Sequence, residues 1–358
     1  MKTFRIALTG DFLDESGAVA QGDAGLPLLA GVAHVEHHFI REQAPTPGDP
    51  SYWDRYYSLE VTADQIAGVH GLVVLRPYVK ARMFERGADD LVVIGRSGAG
   101  YDKVDVAACT AHDVALFNAP RALNHSTASA ALLLMLALAK RLPWQERITR
   151  QGRWDRQHEV IGSEIQGRTL GIIGLGNSGR ELARLVAPFA MTLLSHSPHA
   201  DPAEALALGV TLTTLAEVMR QSDFVSIHCR LAPETRGLIG RPQLALMKPT
   251  ACLINVARGE NVDQPALVDA LRSRAIAGAG LDVFDHEPLP IGDPLLELDN
   301  VIVTPHWLAS TTDVWQATGR AMALGMLRAA RGLVPEDVVN TEVLERPGFR
   351  AKLERFAR

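Results

Sequence analysis

The sequence predicts an α/β protein of two doubly wound domains, each built on a parallel sheet. Three observations carry that expectation. The chain has 358 residues, about two ordinary domain lengths at ~150 residues each. Short, near-continuous apolar runs recur along it, separated by helical or turn-rich stretches, as in sheets buried on both faces. One of these runs feeds a glycine-rich turn that opens a helix pattern.

Composition narrows the class. At 47% hydrophobic and 22% charged residues the chain can bury sizeable cores, which excludes a disordered chain. The net charge is −5, from 36 Lys+Arg against 41 Asp+Glu, and no long basic run offers a footprint for nucleic acid. Three scattered cysteines, Cys109, Cys229 and Cys252, make neither a disulfide framework nor a thiolate metal site. The opening MKTFRIALTGDF is basic, but its apolar stretch meets Asp11 too early for a secretory signal. The longest apolar run, Ala128 to Ala139, falls short of the ~20 residues a bilayer needs. A soluble protein of a reduced, cytoplasmic setting, with no membrane partner, is expected.

Along the first third, Phe4–Leu8, Leu72–Leu75, Leu91–Ile94 and Val114–Phe117 read as buried strands bounded by Gly, Asp or Asn. Ala44–Tyr57, rich in Pro, Gly and aromatics, reads as a surface loop. His34, His37 and His38 resemble a metal cluster in composition, but the segment lacks a Cys or a zincin-type spacing, so no metal is expected. Asn124 to Pro143 is a helix pattern with Asn124 or Ser126 as cap, apolar on nearly every face and therefore buried between layers or at an interface. From Arg168 onward, strands at Leu170–Ile173, Met191–Ser195, Phe224–His228, Cys252–Val256, Ala279–Val283 and Val301–Thr304 alternate with crossovers. Six such strands match a doubly wound dinucleotide-binding fold. Trp315–Arg331 is a further helix, and it returns with the tail to the first domain.

Gly174-Leu-Gly176-Asn177-Ser178-Gly179 lies between the first of these strands and a helix pattern. In that context Gly174 makes the tight turn, Gly176 lets backbone N–H groups approach a diphosphate, and Gly179 allows close helix–strand packing. Asn177 and Ser178 join them at the helix N-terminus, whose partial positive charge favours an anion. An NAD-selective site places a carboxylate about 20 residues further on, yet no Asp or Glu lies between Glu181 and Asp201. Ser197 stands there instead. NAD or NADP is the expected cofactor, and the missing carboxylate favours NADP or dual use. The competing reading has Asp201 bend back to the ribose.

With the glycine turn, IHCRLAPETRGLIG (227–240), LINVARGENVDQPALVDAL (253–271), GLDVFDHEP (280–288) and VIVTPHWLAST (301–311) resemble the D-isomer-specific 2-hydroxyacid dehydrogenases. That family includes glyoxylate/hydroxypyruvate reductases, D-lactate dehydrogenases and 3-phosphoglycerate dehydrogenases. GRSGAGYDKVDVAACTAHDVALFNAP (95–120) is similar to the end of the family's first domain, so the resemblance spans roughly 95 to 311. It implies a Rossmann dinucleotide-binding domain (120–307) inserted into a flavodoxin-like substrate domain (1–119 and 308–358). It also implies that Arg258 binds the substrate's carboxylate and carbonyl oxygen, and that His306 is the catalytic histidine with Glu287 as its acid. Asp282 would hold the nicotinamide carboxamide, and the backbone N–H groups of Ser97, Gly98 and Ala99 would cradle the substrate carboxylate. A homodimer is a further implication. Closure of the two domains over the substrate is expected, and because the chain stops near the end of the second domain, no C-terminal regulatory domain like that of long phosphoglycerate dehydrogenases is expected.

The chemistry asks for the same residue types. Reducing a 2-oxo acid builds negative charge on the carbonyl oxygen, which needs a proton donor near neutral pH. Histidine suits that task, with a carboxylate to raise its pKa and fix its tautomer. A guanidinium binds a carboxylate bidentately and also polarises a carbonyl. The resulting expectation is an NAD(P)-dependent oxidoreductase that interconverts a small 2-oxo acid and its D-2-hydroxy acid. Formate dehydrogenases of the superfamily pair the histidine with glutamine, and Glu287 argues against them. A cofactor-sensing, corepressor-like scaffold with little turnover is the alternative of a different class. Trp307-Leu308-Ala309 after His306, Arg230 in place of a proline and Ser129 in place of a glutamate depart from the family pattern.

Overall fold

The computed structural model describes residues 2–40, 49 and 51–357. The chain divides into two compact units, Met1–Leu123 with Ser310–Arg358, and Asn124–Ala309.

The first unit carries β1 (Phe4–Thr9), β2 (Val35–Ile40), β3 (Gly71–Val74), β4 (Val93–Arg96) and β5 (Ala115–Asn118), all parallel and ordered β2-β1-β3-β4-β5. This is the flavodoxin-like order. Apart from the exposed Arg5, alternation within β1 explains its mostly apolar look. Phe4, Ile6 and Leu8 pack with Met322 and Met326 of the helix Thr312–Ala329, while Ala7 faces the opposite layer with Leu72, Ile94, Met83 and Phe84. Burying each such large side chain contributes about 1.5–3 kcal/mol, so both faces hold the sheet. Past the long helix the tail closes the edge of β5. The Val339 N–H donates to Leu116 O at 2.7 Å, and the Asn340 side chain accepts from the Leu116 N–H and donates to Val114 O.

The second unit carries β6 (Thr169–Ile173), β7 (Thr192–His196), β8 (Val210–Leu212), β9 (Phe224–Ile227), β10 (Cys252–Asn255), β11 (Gly278–Leu281) and β12 (Val301–Val303). These strands are parallel in the order β12-β11-β10-β9-β6-β7-β8. The order reverses at β6, so the ligand crevice of this Rossmann unit opens beyond the carboxyl ends of β6 and β9. The helix Asn124–Ala139 packs on the helix Asn177–Val186 and across β10 and β11. A Cβ on Gly280 would lie 3.0 Å from the Leu134 Cβ, so small residues in β11 let the helix sit close. Cover on several sides accounts for the apolar character of most faces, while Leu133 is left exposed.

Four details differ from the sequence reading. The helix expected to run to Pro143 stops at Ala139, because Arg141 takes a left-handed φ of 52° and Pro143 starts a second helix, Leu142–Arg150. The histidine-rich segment forms β2, an edge strand whose Glu36, His37 and His38 are exposed, so no apolar run marks it. The three-residue edge strand β8 is equally unmarked. Of the loop expected over 44–57, residues 44–48 and 50 lie outside the described residues, and Tyr52–Tyr57 is a helix. Asp49 Oδ1 accepts from the Ser51 N–H just ahead of it, and Tyr52 stacks on Tyr56 one turn later at 5.7 Å. Among the described residues no helix is long and apolar enough to cross a membrane.

Candidate active site

The glycine turn follows β6 directly. Gly174 has a φ of +94°, and a Cβ there would sit 2.6 Å from the Cys229 N. A Cβ on Gly179 would lie 2.3 Å from Gly174 O. Gly176 differs, since a Cβ there would meet no atom within 4 Å. That glycine faces open space and caps the helix Asn177–Val186 without a side-chain bond, so the helix N-terminus, whose first-turn N–H groups have no acceptor within the helix, opens toward an anion. Donors, helix dipole and clear approach together fit a dinucleotide's diphosphate.

Ser197 lies just past the end of β7. Asp201 follows four residues later. Its Oδ1 accepts the Ala203 N–H at 2.8 Å and caps the helix Pro202–Ala207, so that oxygen is already engaged.

Arg258, Asp282, Glu287 and His306 follow the adjacent strands β10, β11 and β12, at the end where a parallel sheet opens to its ligand. His306 Nδ1 lies 2.7 Å from Glu287 Oε2. Glu287 Oε1 accepts the Phe284 N–H at 3.1 Å, which fixes the carboxylate from behind. Burial pushes the Glu287 carboxyl up, but the bond and charge of His306, the Phe284 N–H and the field of Arg258 bring it net below its ordinary value. The carboxylate is therefore an acceptor, Nδ1 carries the proton of that bond, and Nε2 is left for chemistry. His306 itself holds a φ of +51°, a conformation that costs a non-glycine residue of order 1–3 kcal/mol and collects at functional sites.

Two loops hold this group. A Cβ on Gly259 would fall 1.8 Å from the Phe284 carbonyl carbon, so the backbone beside Arg258 lies directly on the backbone that leads to Glu287. Asn255 braces the same loop, donating to Arg258 O at 2.8 Å and accepting the Ala257 N–H. Asp282 ties down the chain around His306. Its buried carboxylate accepts the Thr304 hydroxyl at 2.7 Å and the Trp307 and Leu308 N–H groups at 3.1 and 3.2 Å, and burial outweighs these bonds to raise its pKa. Ser126 Oγ donates to Ala309 O at 2.6 Å and anchors the same stretch to the apolar helix.

In the first unit the loop after β4 holds Ser97, Gly98 and Ala99. The Ser97 N–H donates to Val74 O at 2.8 Å, so of the three amides expected to present themselves only those of Gly98 and Ala99 remain without an acceptor among the described residues. Gly98 has a φ of +135°, a backbone conformation that residues with a side chain rarely adopt.

Sequence reasoning missed His228, which sits between Ser178 Oγ (3.0 Å from Nδ1) and Ser226 Oγ (2.9 Å from Nε2). Burial depresses its pKa to about 4, so it is a neutral brace under the glycine turn. Its position at the end of β9, next to β6, was the available signal.

A model of the D-isomer specific 2-hydroxyacid dehydrogenase NAD binding domain matches residues 132–307. A D-3-phosphoglycerate dehydrogenase of Methanocaldococcus jannaschii is 41% identical over 71% of this chain and 48% of its own length, so the chain spans about half of that relative. A glyoxylate reductase of Korarchaeum cryptofilum is 35% identical over 89% of this chain and 96% of its own length. Among solved structures, the NADPH-dependent glyoxylate/hydroxypyruvate reductase of Sinorhizobium meliloti, in complex with NADP and malonate, is 28% identical. It covers 91% of this chain and 93% of its own, with a TM-score of 0.73.

Proposed function

Because the chain belongs to the D-isomer specific 2-hydroxyacid dehydrogenase family, we propose that it interconverts a small 2-oxo acid and its D-2-hydroxy acid, with NAD(P) as hydride partner. The observation that carries this reading is the 2.7 Å contact of His306 Nδ1 with Glu287 Oε2, beside an arginine whose field reaches the same carboxylate.

When bound, the reduced nicotinamide supplies a hydride. Arg258 holds the acid's carboxylate and polarises its carbonyl, because a guanidinium presents paired donors that stay charged. His306 Nε2 delivers the proton to the oxygen on which charge develops, and Glu287 steadies the imidazolium and its tautomer. In oxidation the same atom takes the proton back. Asp282 positions the turn that carries His306 and offers its remaining acceptor capacity to the carboxamide. The Gly98 and Ala99 amides are further donors for a carboxylate.

The absence of an acidic residue at Ser197 supports use of NADP or of both cofactors. The relatives' names, glyoxylate reductase and glyoxylate/hydroxypyruvate reductase, make short 2-oxo acids the first substrates to try and favour catalysis over a cofactor-sensing scaffold. Three free cysteines accord with a reducing, cytoplasmic setting. A homodimer fits the apolar helix Asn124–Ala139, whose Leu133 remains exposed. The test is oxidation of NADH and NADPH with glyoxylate, hydroxypyruvate, pyruvate and bulkier 2-oxo acids. Turnover of at least one acid is expected, whereas tight cofactor binding with no turnover would establish the scaffold instead.

A further inference from the structure

Arg180 directly follows the third glycine of the turn. Its Nη2 donates to Asn177 Oδ1 at 3.0 Å, and its Nη1 is ion-paired with Glu204. Glu204 lies in the first turn of the helix Pro202–Ala207, a few residues beyond Ser197. The guanidinium thus bridges the glycine turn and the segment after β7, the two pieces of a dinucleotide fold that frame the adenosine ribose. No other carboxylate is available to oppose a phosphate at that corner from the segment after β7. Residues 182–200 contain none, and Asp201 is engaged as a helix cap.

Two features make Glu204 the weaker partner. Its side chain is 54% exposed against 29% for Arg180, and an exposed carboxylate pair adds little to a fold. A phosphate monoester carries more charge than a carboxylate and matches the guanidinium fork with several oxygens. Resting on the dehydrogenase reading above, we infer that Arg180 recognises the 2′-phosphate of NADP, and that Glu204 is the counter-charge it leaves when that phosphate binds. Asn177 keeps the arginine in register with the diphosphate-binding turn. The site then admits NAD with the Arg180–Glu204 pair closed and NADP with it exchanged.

The experiment is a fluorescence titration of the full chain with NADPH and with NADH, which reads binding without turnover. The wild type is expected to bind NADPH at least as tightly as NADH. Arg180→Gln should weaken NADPH by roughly tenfold to a hundredfold, the scale of a lost charge-assisted bond, and move NADH by less than about threefold. Glu204→Gln should tighten NADPH several-fold by freeing the guanidinium. An Arg180→Gln protein that keeps its wild-type NADPH affinity overturns the assignment, and so does one that weakens both nucleotides equally. A wild-type chain that binds neither nucleotide overturns the dehydrogenase reading with it, a result distinct from the first two.

Discussion

His306 Nδ1 and Glu287 Oε2 stand 2.7 Å apart although 19 residues and two strand ends separate them in the chain. The bond commits one ring nitrogen to the carboxylate and leaves the other for a proton that can be exchanged.

Replacing His306 by Ala should lower turnover by about 100- to 10,000-fold, the range for a lost general acid, with cofactor affinity nearly intact. Glu287→Gln keeps the shape but removes the charge, and it should shift the pH profile of kcat as well as lower it. Equal turnover in the His306 variant and the wild type, under saturating cofactor, contradicts the assigned role.

Gly259→Ala places a methyl group 1.8 Å from a backbone carbon of Phe284, with no flexible side chain to yield. The expected result is a loss of stability of at least about 1–3 kcal/mol and a raised KM for the acid, because Arg258 moves with its loop. An unchanged melting temperature, measured calorimetrically, counts against the packing described.

Asp282→Ala strips the Trp307 and Leu308 N–H groups and the Thr304 hydroxyl of their acceptor. These donors are only partly shielded from water, so the loss stays below the roughly 1–3 kcal/mol of a fully buried donor each, and the turn carrying His306 should loosen. Amide hydrogen exchange confined to residues near 304–309 is the expected signature. Asp282→Asn, which retains one acceptor oxygen, should recover part of the protection.

His70 and His228 are both depressed to about 4 by burial, and His70 Nδ1 accepts the Arg5 N–H at 2.9 Å. Each is neutral when folded and takes up a proton more readily when unfolded. Their contribution is thus fully present above about pH 6.5 and is lost as pH falls toward about 4. The urea midpoint should decline over that window, and His70→Gln should flatten the decline. A midpoint constant between pH 6.5 and 4.5 would contradict the neutral, buried state.

What the sequence made legible follows from where chemistry and pattern coincide. Strands β6, β9 and β10 announce themselves because both faces are covered, and Gly174, Gly176 and Gly179 because backbone geometry demands them. Arg258, Glu287 and His306 were found through motif order, each just after an apolar run. Edge strands β2 and β8 escaped because an edge needs no continuous apolar run. The Tyr52–Tyr57 helix escaped because its order rests on aromatic stacking and an Asp49 turn rather than on amphipathic spacing. The Ser97 amide, the His228 brace and the Arg180–Glu204 pair depend on which atoms meet across different elements, and a one-dimensional pattern does not encode such meetings.

The contact between Gly259 and the Phe284 backbone welds the arginine loop to the acid loop, so the two act as a single girder beneath the chemistry. Tailoring the enzyme to a new acid is therefore better begun at Trp307, the partly exposed residue that follows His306 in the chain, than anywhere along that girder.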